Sequence, residues 1–267
     1  MNLPRMHLLI AGMGRAGTTA LANLLTTPPD RWVIIEPGLT RDGIGDHVFE
    51  QAARFGAPVA ISREEWNASD PKEPGLSRFA RTIGPGLSRL KAWGVKEVNP
   101  AGLDELIRVF EPRQVLLAVR DIRDCAISVI EKSRRHAAEG RQVQSDEWMA
   151  RRLTDAGAAL VRLKNRLGND RIRIVHYETF TTDNSCRVEL ERWLDWPLSG
   201  DPGRCLDLFG REYETARHNG RVGSSSVARH ERETSRELLD FAALVEQQAH
   251  EYQAVFGYTP ACAEATT

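Results

Sequence analysis

Three short segments of the chain carry residue types that handle anions and protons. The first runs Gly12-Met13-Gly14-Arg15-Ala16-Gly17-Thr18-Thr19, directly after the apolar stretch from His7 to Ala11. A strand that turns through glycines into a helix aims backbone N–H groups and the positive end of the helix dipole at one point, where a phosphate or sulfate binds. Set against the triphosphate pattern G-x-x-x-x-G-K-[ST], the turn has Thr18 where the lysine belongs, and its cation is Arg15, inside the loop. The anion cradle is kept while the residue that neutralises a triphosphate is missing.

The second segment is the apolar run Val115 to Val119 followed by Arg120-Asp121-Ile122-Arg123-Asp124 and a helical pattern carrying Ser128 and Lys132. Ser128 and Lys132 are four residues apart and so share one helix face. Arg120 falls at the carboxyl end of a strand, where open α/β sheets bind ligands, and its fork can grip a phosphate through two hydrogen bonds. The same run also reads as a degenerate Walker B strand with Asp121 toward a magnesium ion, a reading that an Arg directly before the acid disfavours. The third pair is Glu36, closing Val33-Ile34-Ile35, and Lys96, closing Trp93-Gly94-Val95. Burial among apolar neighbours is expected to raise the Glu36 pKa toward neutrality.

These residues need strands to present them, and the pattern supplies strands. Apolar runs at 8–11, 33–35, 94–95, 115–119 and 172–175 alternate with helical periodicity at 18–25, 46–55, 103–110, 124–135 and 147–167. Alternation at this spacing predicts an α/β fold, a three-layer sandwich with a central parallel sheet, and with the glycine turn after its first run the arrangement resembles the P-loop-containing nucleotide hydrolase-like fold. Leu238, Leu239, Phe241, Leu244, Val245, Tyr252, Val255 and Phe256 predict one last amphipathic helix. The turn-rich stretch 69–88 reads as an insertion over the sheet edge, and the polar, Gly- and Ser-rich stretch 209–233 as a closing loop. The 267 residues are expected to form a single domain.

Composition narrows the field. With 36 basic against 37 acidic residues the chain has no strongly basic surface, so a nucleic-acid partner is not expected. Five of the 36 are Lys and 31 are Arg, which makes each Lys at a strand end worth attention. The four Cys are far apart without metal-ligand or C-x-x-C spacing, arguing against a disulfide framework or zinc site. No apolar run approaches the ~18 residues of a membrane span, and no secretory leader pattern is found. A soluble, cytoplasmic protein is expected.

Two of the motifs, in this order on two strands, resemble those of sulfotransferases that use 3′-phosphoadenosine 5′-phosphosulfate (PAPS). In that family a basic residue, a small residue and Gly-Thr-Thr hold the 5′-phosphosulfate; Arg15-Ala16-Gly17-Thr18-Thr19 matches, with Ala16 in place of the usual Ser. The family's 3′-phosphate motif is an apolar strand, Arg-Asp-x-Arg and a Ser eight residues after the first Arg, as Arg120 and Ser128 stand here. The resemblance implies that these two bind the 3′-phosphate with Lys132 as a further contact. It also implies that Tyr177, in Val175-His176-Tyr177-Glu178, approaches the nucleotide. Glu36, 21 residues after Arg15, is similar in spacing to the Glu base of tyrosylprotein and carbohydrate-type members. Lys96 resembles the family Lys that, here with Arg15, stabilises the transition state. His47 and His218 are the alternatives if the base is an imidazole.

The implied activity is metal-free transfer of a sulfuryl group from PAPS, leaving PAP, to a hydroxyl on a polar acceptor. The region between Gly38 and Trp93, whose main aromatics are Phe49, Phe55, Trp66 and Phe79, and the loop after Phe209 are expected to shape the acceptor site and favour a sugar-like or polar metabolite. The rival readings are a P-loop kinase-like phosphotransferase and a non-catalytic nucleotide-binding domain.

Overall fold

In the computed structural model, residues 5–39, 44–55, 64 and 65, 75–198 and 224–258 are described. Five strands form one all-parallel sheet: β1 (Leu8–Gly12), β2 (Arg31–Ile35), β3 (Ala92–Glu97), β4 (Gln114–Val119) and β5 (Ile172–His176), in the order β2-β3-β1-β4-β5. The five apolar runs of the sequence are these strands, each slightly longer than its apolar kernel. In the central strand, Ile10 stands opposite Lys96 on one side and Leu116 on the other, and Ile35 of β2 is opposite Lys96 from the far side. The strand ends that carry Glu36, Lys96 and Arg120 are thereby level with the turn after β1.

Helices cover both faces, giving three layers. One face packs α1 (Thr18–Leu25) and, from the later chain, α8 (Tyr177–Thr182) and α9 (Asn184–Leu194) against Leu8, Ile10, Val33, Ile35, Leu116 and Ala118. The other buries Leu9, Ala11, Trp32, Ile34, Val115 and Leu117 under the remaining helices. These are α2 (Asp46–Phe55), α3 (Gly75–Thr82), α4 (Gly84–Leu87), α5 (Pro100–Phe110), α6 (Ile122–Ala138), α7 (Asp146–Arg166), α10 (Arg236–Gln248) and α11 (His250–Phe256). A sheet buried on both sides explains why its strands read as unbroken apolar runs rather than as alternation.

Local chemistry sets the helix starts. The Asp121 carboxylate accepts from the Arg123 N–H at the head of α6, and the Ser145 hydroxyl accepts from the Trp148 N–H at the head of α7. Asp146 and Glu147 in the first turn of α7, with Lys164 and Arg166 in its last, match the helix dipole. The last amphipathic stretch is two helices, not the one expected: Ala249 leaves the helical region at φ −113°, ψ 27° and separates α10 from α11. The apolar spacing stays in phase across the break, so periodicity alone carries no sign of it. The turn-rich stretch contains α3 and α4, whose Phe79, Ile83 and Leu87 are fully buried, Phe79 edge-on to Phe110 and near Trp93. Phe79 is thus a core residue and does not line an acceptor site.

On the open side of edge strand β2 the outward N–H groups are occupied. Arg31 exchanges two backbone bonds with Thr27, both 2.9 Å, the Val33 N–H donates to the Thr26 hydroxyl at 3.1 Å, and the Ile35 N–H donates to Gln51 Oε1 at 3.1 Å.

Candidate active site at the carboxyl edge of the sheet

Each strand delivers one part of the site from its carboxyl end. After β1 the chain turns through Arg15, at φ 75°, and Gly17, at φ 77°, into α1. Gly17 caps the helix without any side-chain hydrogen bond, so the N–H groups of the first turn have no side-chain acceptor at the cap. Gly17 is required by space as well as by backbone: a Cβ there would lie 2.6 Å from Tyr177 Cδ2. The Tyr177 ring, the first residue after β5, is pressed against the turn on that side and carries the Arg120 guanidinium 4.5 Å from its centroid. Its hydroxyl shares a 2.9 Å hydrogen bond with Ser226 Oγ.

Arg120, from the end of β4, is 4% exposed and ties these pieces together. Its Nη1 donates to the Arg15 carbonyl at 3.0 Å, its Nη2 donates to the Ser226 carbonyl, and its buried Nε has no partner among the described residues. The backbone of Arg120 is fixed from behind by the Tyr252 hydroxyl, which accepts from its N–H at 3.1 Å and donates to its carbonyl at 2.9 Å. The Arg15 side chain reaches α6, where Nε donates to Ser128 Oγ at 2.9 Å. Lys132 stands one turn further along α6; desolvation, and then the nearby Arg15 cation, hold its pKa below the usual lysine range while Glu36 pulls it upward. Arg15, Ser128, Lys132 and Glu36 therefore act within one electrostatic neighbourhood.

On the other side of β1, Lys96 and Glu36 form an ion pair, Nζ to Oε1. Lys96 is 2% exposed, whereas the Glu36 side chain keeps 34% of its surface open. A buried ammonium is tolerated only with a partner, and the partner's carboxylate still faces the cleft. The Glu36 N–H donates to the Lys96 carbonyl at 2.8 Å, so Lys96 holds Glu36 by backbone and by side chain. The raised Glu36 pKa expected from its apolar flanks is overturned: desolvation pushes it up, but Lys96, by charge and hydrogen bond, with Lys132 and His47, brings it below the ordinary carboxylate value. Lys96 does not pair with its neighbour Glu97, whose carboxylate turns back to accept from the Val98 and Asn99 N–H groups at 2.8 Å each; burial raises the Glu97 pKa.

Arg15 and Glu36 are both non-glycine residues in left-handed backbone. Of the other left-handed non-glycine residues, Glu111 and Asp195 are ordinary helix C-caps and Ala228 heads the short 3₁₀ turn Arg229–Glu231. Arg15 and Glu36 stand at the cleft, where such conformations cost about 1–3 kcal/mol each and persist only if the surroundings impose them.

Other candidates fall into place or out of it. Asp121 spends its oxygens on the N–H, Nε and Nη2 of Arg123, at 2.9, 3.0 and 2.6 Å, which leaves the Walker B reading without its magnesium ligand. His47 has Nε2 3.1 Å from the Ile35 carbonyl and 2.9 Å from the Glu36 carbonyl, contacts that only a donor can make, so Nε2 is not a free base. His218 and Trp66, together with residues 209–223 of the expected closing loop, lie outside the described residues. Residues 224–233 of that loop are described, and they dock on α6 through contacts the sequence did not disclose. The Arg229 guanidinium pairs with Glu131, while the His230 N–H and Nδ1 meet Asp124 Oδ1 at 2.9 and 2.7 Å. Burial lowers the His230 pKa, but the hydrogen bond to Asp124 and the charge of Asp121 raise it further, so the net shift is upward. Glu178 was also missed: it accepts from the Asp121 N–H at 3.1 Å and from the Tyr258 hydroxyl at 3.0 Å. Among the described residues no cluster of three or more His, Cys, Asp and Glu could hold a metal ion, and no helix is long and apolar enough to cross a membrane.

The sequence matches the family described as "Sulfotransferase family" over residues 8–200. No curated protein matches. Among solved structures, a sulfotransferase from Alicyclobacillus acidocaldarius aligns with a TM-score of 0.53 at 15% identity, over 96% of this chain and 98% of its own. The sulfotransferase domain of the Synechococcus PCC 7002 olefin synthase aligns at 0.54 and 13%, over 97% of each chain. Mouse sulfotransferase SULT7A1 complexed with PAP aligns at 0.52 and 11%, over 95% of this chain and 88% of its own. At these identities the structures show a shared fold.

Proposed function

The chain belongs to the sulfotransferase family, and from that premise we propose that it moves a sulfuryl group from PAPS to a hydroxyl of a polar acceptor, a carbohydrate or small metabolite. The observation that carries the reading is the Glu36–Lys96 pair beside the Arg15 turn, with an ionised carboxylate partly open to the cleft. The opposite half of the site suits a nucleotide carrying two anionic ends. The uncapped first turn of α1 fits one of them, and the buried, incompletely bonded Arg120, with Ser128 held by Arg15, fits the other.

PAPS supplies the sulfuryl group when bound; the protein supplies position, charge and a proton acceptor. The turn at Arg15, Ala16, Gly17, Thr18 and Thr19 holds the 5′-phosphosulfate by backbone N–H groups, with one hydroxyl fewer for having Ala16. Arg120, Ser128 and Lys132 would grip the 3′-phosphate, and Tyr177, packed against the turn and Arg120, would contact the nucleotide. Glu36 takes the proton of the acceptor hydroxyl on its carboxylate, which its lowered pKa keeps ionised at neutral pH. Lys96 and Arg15 stabilise the negative charge that builds on the sulfuryl and leaving phosphate oxygens. No step is assigned to a metal.

The test is incubation with radiolabelled PAPS and a panel of hydroxylated acceptors. Label should pass to a sugar-like or polar acceptor, and Glu36→Gln should abolish the transfer while PAP still binds. A variant with normal turnover would remove Glu36 from the role, and thermal stabilisation by magnesium-ATP in preference to PAP would replace the whole reading with a kinase.

A further inference from the structure

Of the polar side chains of helix α2, His47 and Gln51 stand four residues apart on one helix face, and both are spent on the end of β2. Gln51 is completely buried. Its Oε1 accepts from the Ile35 N–H at 3.1 Å and its Nε2 donates to the Ile35 carbonyl at 3.3 Å, so the amide serves the strand as a neighbouring peptide would. His47 Nε2 donates to the Ile35 and Glu36 carbonyls at 3.1 and 2.9 Å. From the other side the Glu36 N–H donates to Lys96. Both peptides flanking the Glu36 Cα are thus restrained, one of them from β3 and α2 together, and this residue is the one held at φ 47°.

We infer that His47 and Gln51 form a clamp that imposes the left-handed backbone on Glu36 and so aims its carboxylate at Lys96 and the acceptor hydroxyl. They are positioning residues, not the base, and the inference rests on the reading of Glu36 as that base. Without the clamp the glutamate backbone relaxes toward extended conformations, which a residue with a Cβ that precedes a proline, here Pro37, prefers, and the carboxylate swings off its partner. The clamp also accounts for Gly45. A Cβ there would lie 2.5 Å from His47 Cε1 and 2.6 Å from Nδ1, so any larger residue displaces the ring from the carbonyls.

The experiment compares His47→Phe, which keeps a ring without the donor, with His47→Gln, which keeps an N–H donor without the imidazole. Turnover, KM for PAPS, PAP affinity by calorimetry and a crystal structure of each variant are measured. His47→Phe should lower kcat by about 10–100-fold, the scale of an ångström's misplacement of a reacting group, with KM for PAPS and PAP affinity within about twofold of the parent. His47→Gln should recover most of the turnover. Should His47→Phe fail to fold, Gly45→Ala displaces the ring without removing it and should give the same kcat loss. Unchanged kcat in a folded variant overturns the clamp, and His47→Gln as inactive as His47→Phe overturns it in favour of imidazole chemistry. If the parent transfers no sulfuryl group to any acceptor, the proposed activity fails separately. The clamp is then judged on the crystal structures: Glu36 should leave the left-handed region and part from Lys96 in His47→Phe, and its staying in place sinks the clamp.

Discussion

The two halves of the cleft hold their cations by different means. On the β1–β4–β5 side, Arg15 is bonded to a hydroxyl, and the close hydrogen bonds of Arg120 are to backbone carbonyls. An acidic neighbour, Asp124, stands off at 3.6 Å and spends Oδ1 on His230. On the β2–β3 side, Lys96 is paired directly with a carboxylate. Neutral acceptors orient the Arg120 guanidinium without cancelling its charge, so it keeps a field for an anion. The ion pair cancels most of the field but keeps an ionised carboxylate in place. On the proposed reading, the first half binds and the second reacts.

Substitutions that separate binding from turnover sharpen or break this contrast. The largest effect is expected for Lys96→Ala: kcat should fall about 10²–10³-fold, as when a preorganised donor is lost from a transition state, with PAP affinity nearly unchanged in calorimetry. The same variant removes the main attraction that lowers the Glu36 pKa, so the acid limb of its pH profile should move to higher pH. Loss of PAP binding in Lys96→Ala would erase the distinction between the halves.

Arg120→Ala should do the reverse. Removing charged hydrogen bonds worth about 1.5–3 kcal/mol weakens PAP binding by about 10–100-fold, while kcat at saturating PAPS stays near that of the parent. Gly17→Ala should follow with about a tenfold loss of PAP affinity, since a Cβ at a left-handed position costs about 1–2 kcal/mol and here also displaces Tyr177.

The smallest expected effects are on pH. Because the Glu36 pKa is lowered, the rate should hold through neutrality and fall only below about 4.3, the ordinary Glu value, where the stability from its ion pair is also lost. His230 has the opposite sign. Its raised pKa means that its contact with Asp124 contributes fully below about 6.5 and is lost as pH rises through the higher folded value. Melting curves between pH 6 and pH 8.5 should show a small decline that His230→Gln flattens; an equal decline in the variant would clear His230.

What the sequence disclosed follows from how far apart the partners lie. The Arg15 turn and the Arg120–Ser128 segment are each continuous in the chain, and apolar runs place both on strands, so their types and order were readable. Helices α1 and α2 coincide with their sequence periodicity. Helices α8 and α9 were not foreseen, because the segment buries few apolar side chains, Phe180, Leu190 and Leu194. The Asp183 cap and the four-residue spacing of Leu190 and Leu194 were the available signals. The contacts of Ser226 with Arg120 and His230 with Asp124 each span 106 residues and have no local pattern. The Glu36 pKa was misjudged for the same reason, since the apolar flanks are adjacent in sequence and the opposing Lys96 is 60 residues away.

The occupied flank of β2 has a consequence for the protein in a crowded solution. An edge strand with free N–H and C=O groups is a template for another chain, and strand addition there leads to aggregation. In β2 the outward N–H groups at Arg31, Val33 and Ile35 are taken by Thr27, Thr26 and Gln51. Three side-chain and backbone acceptors from within the molecule thus act as a shield against edge-to-edge self-association, and Gln51, in the same bonds, supports the strand end from which Glu36 projects.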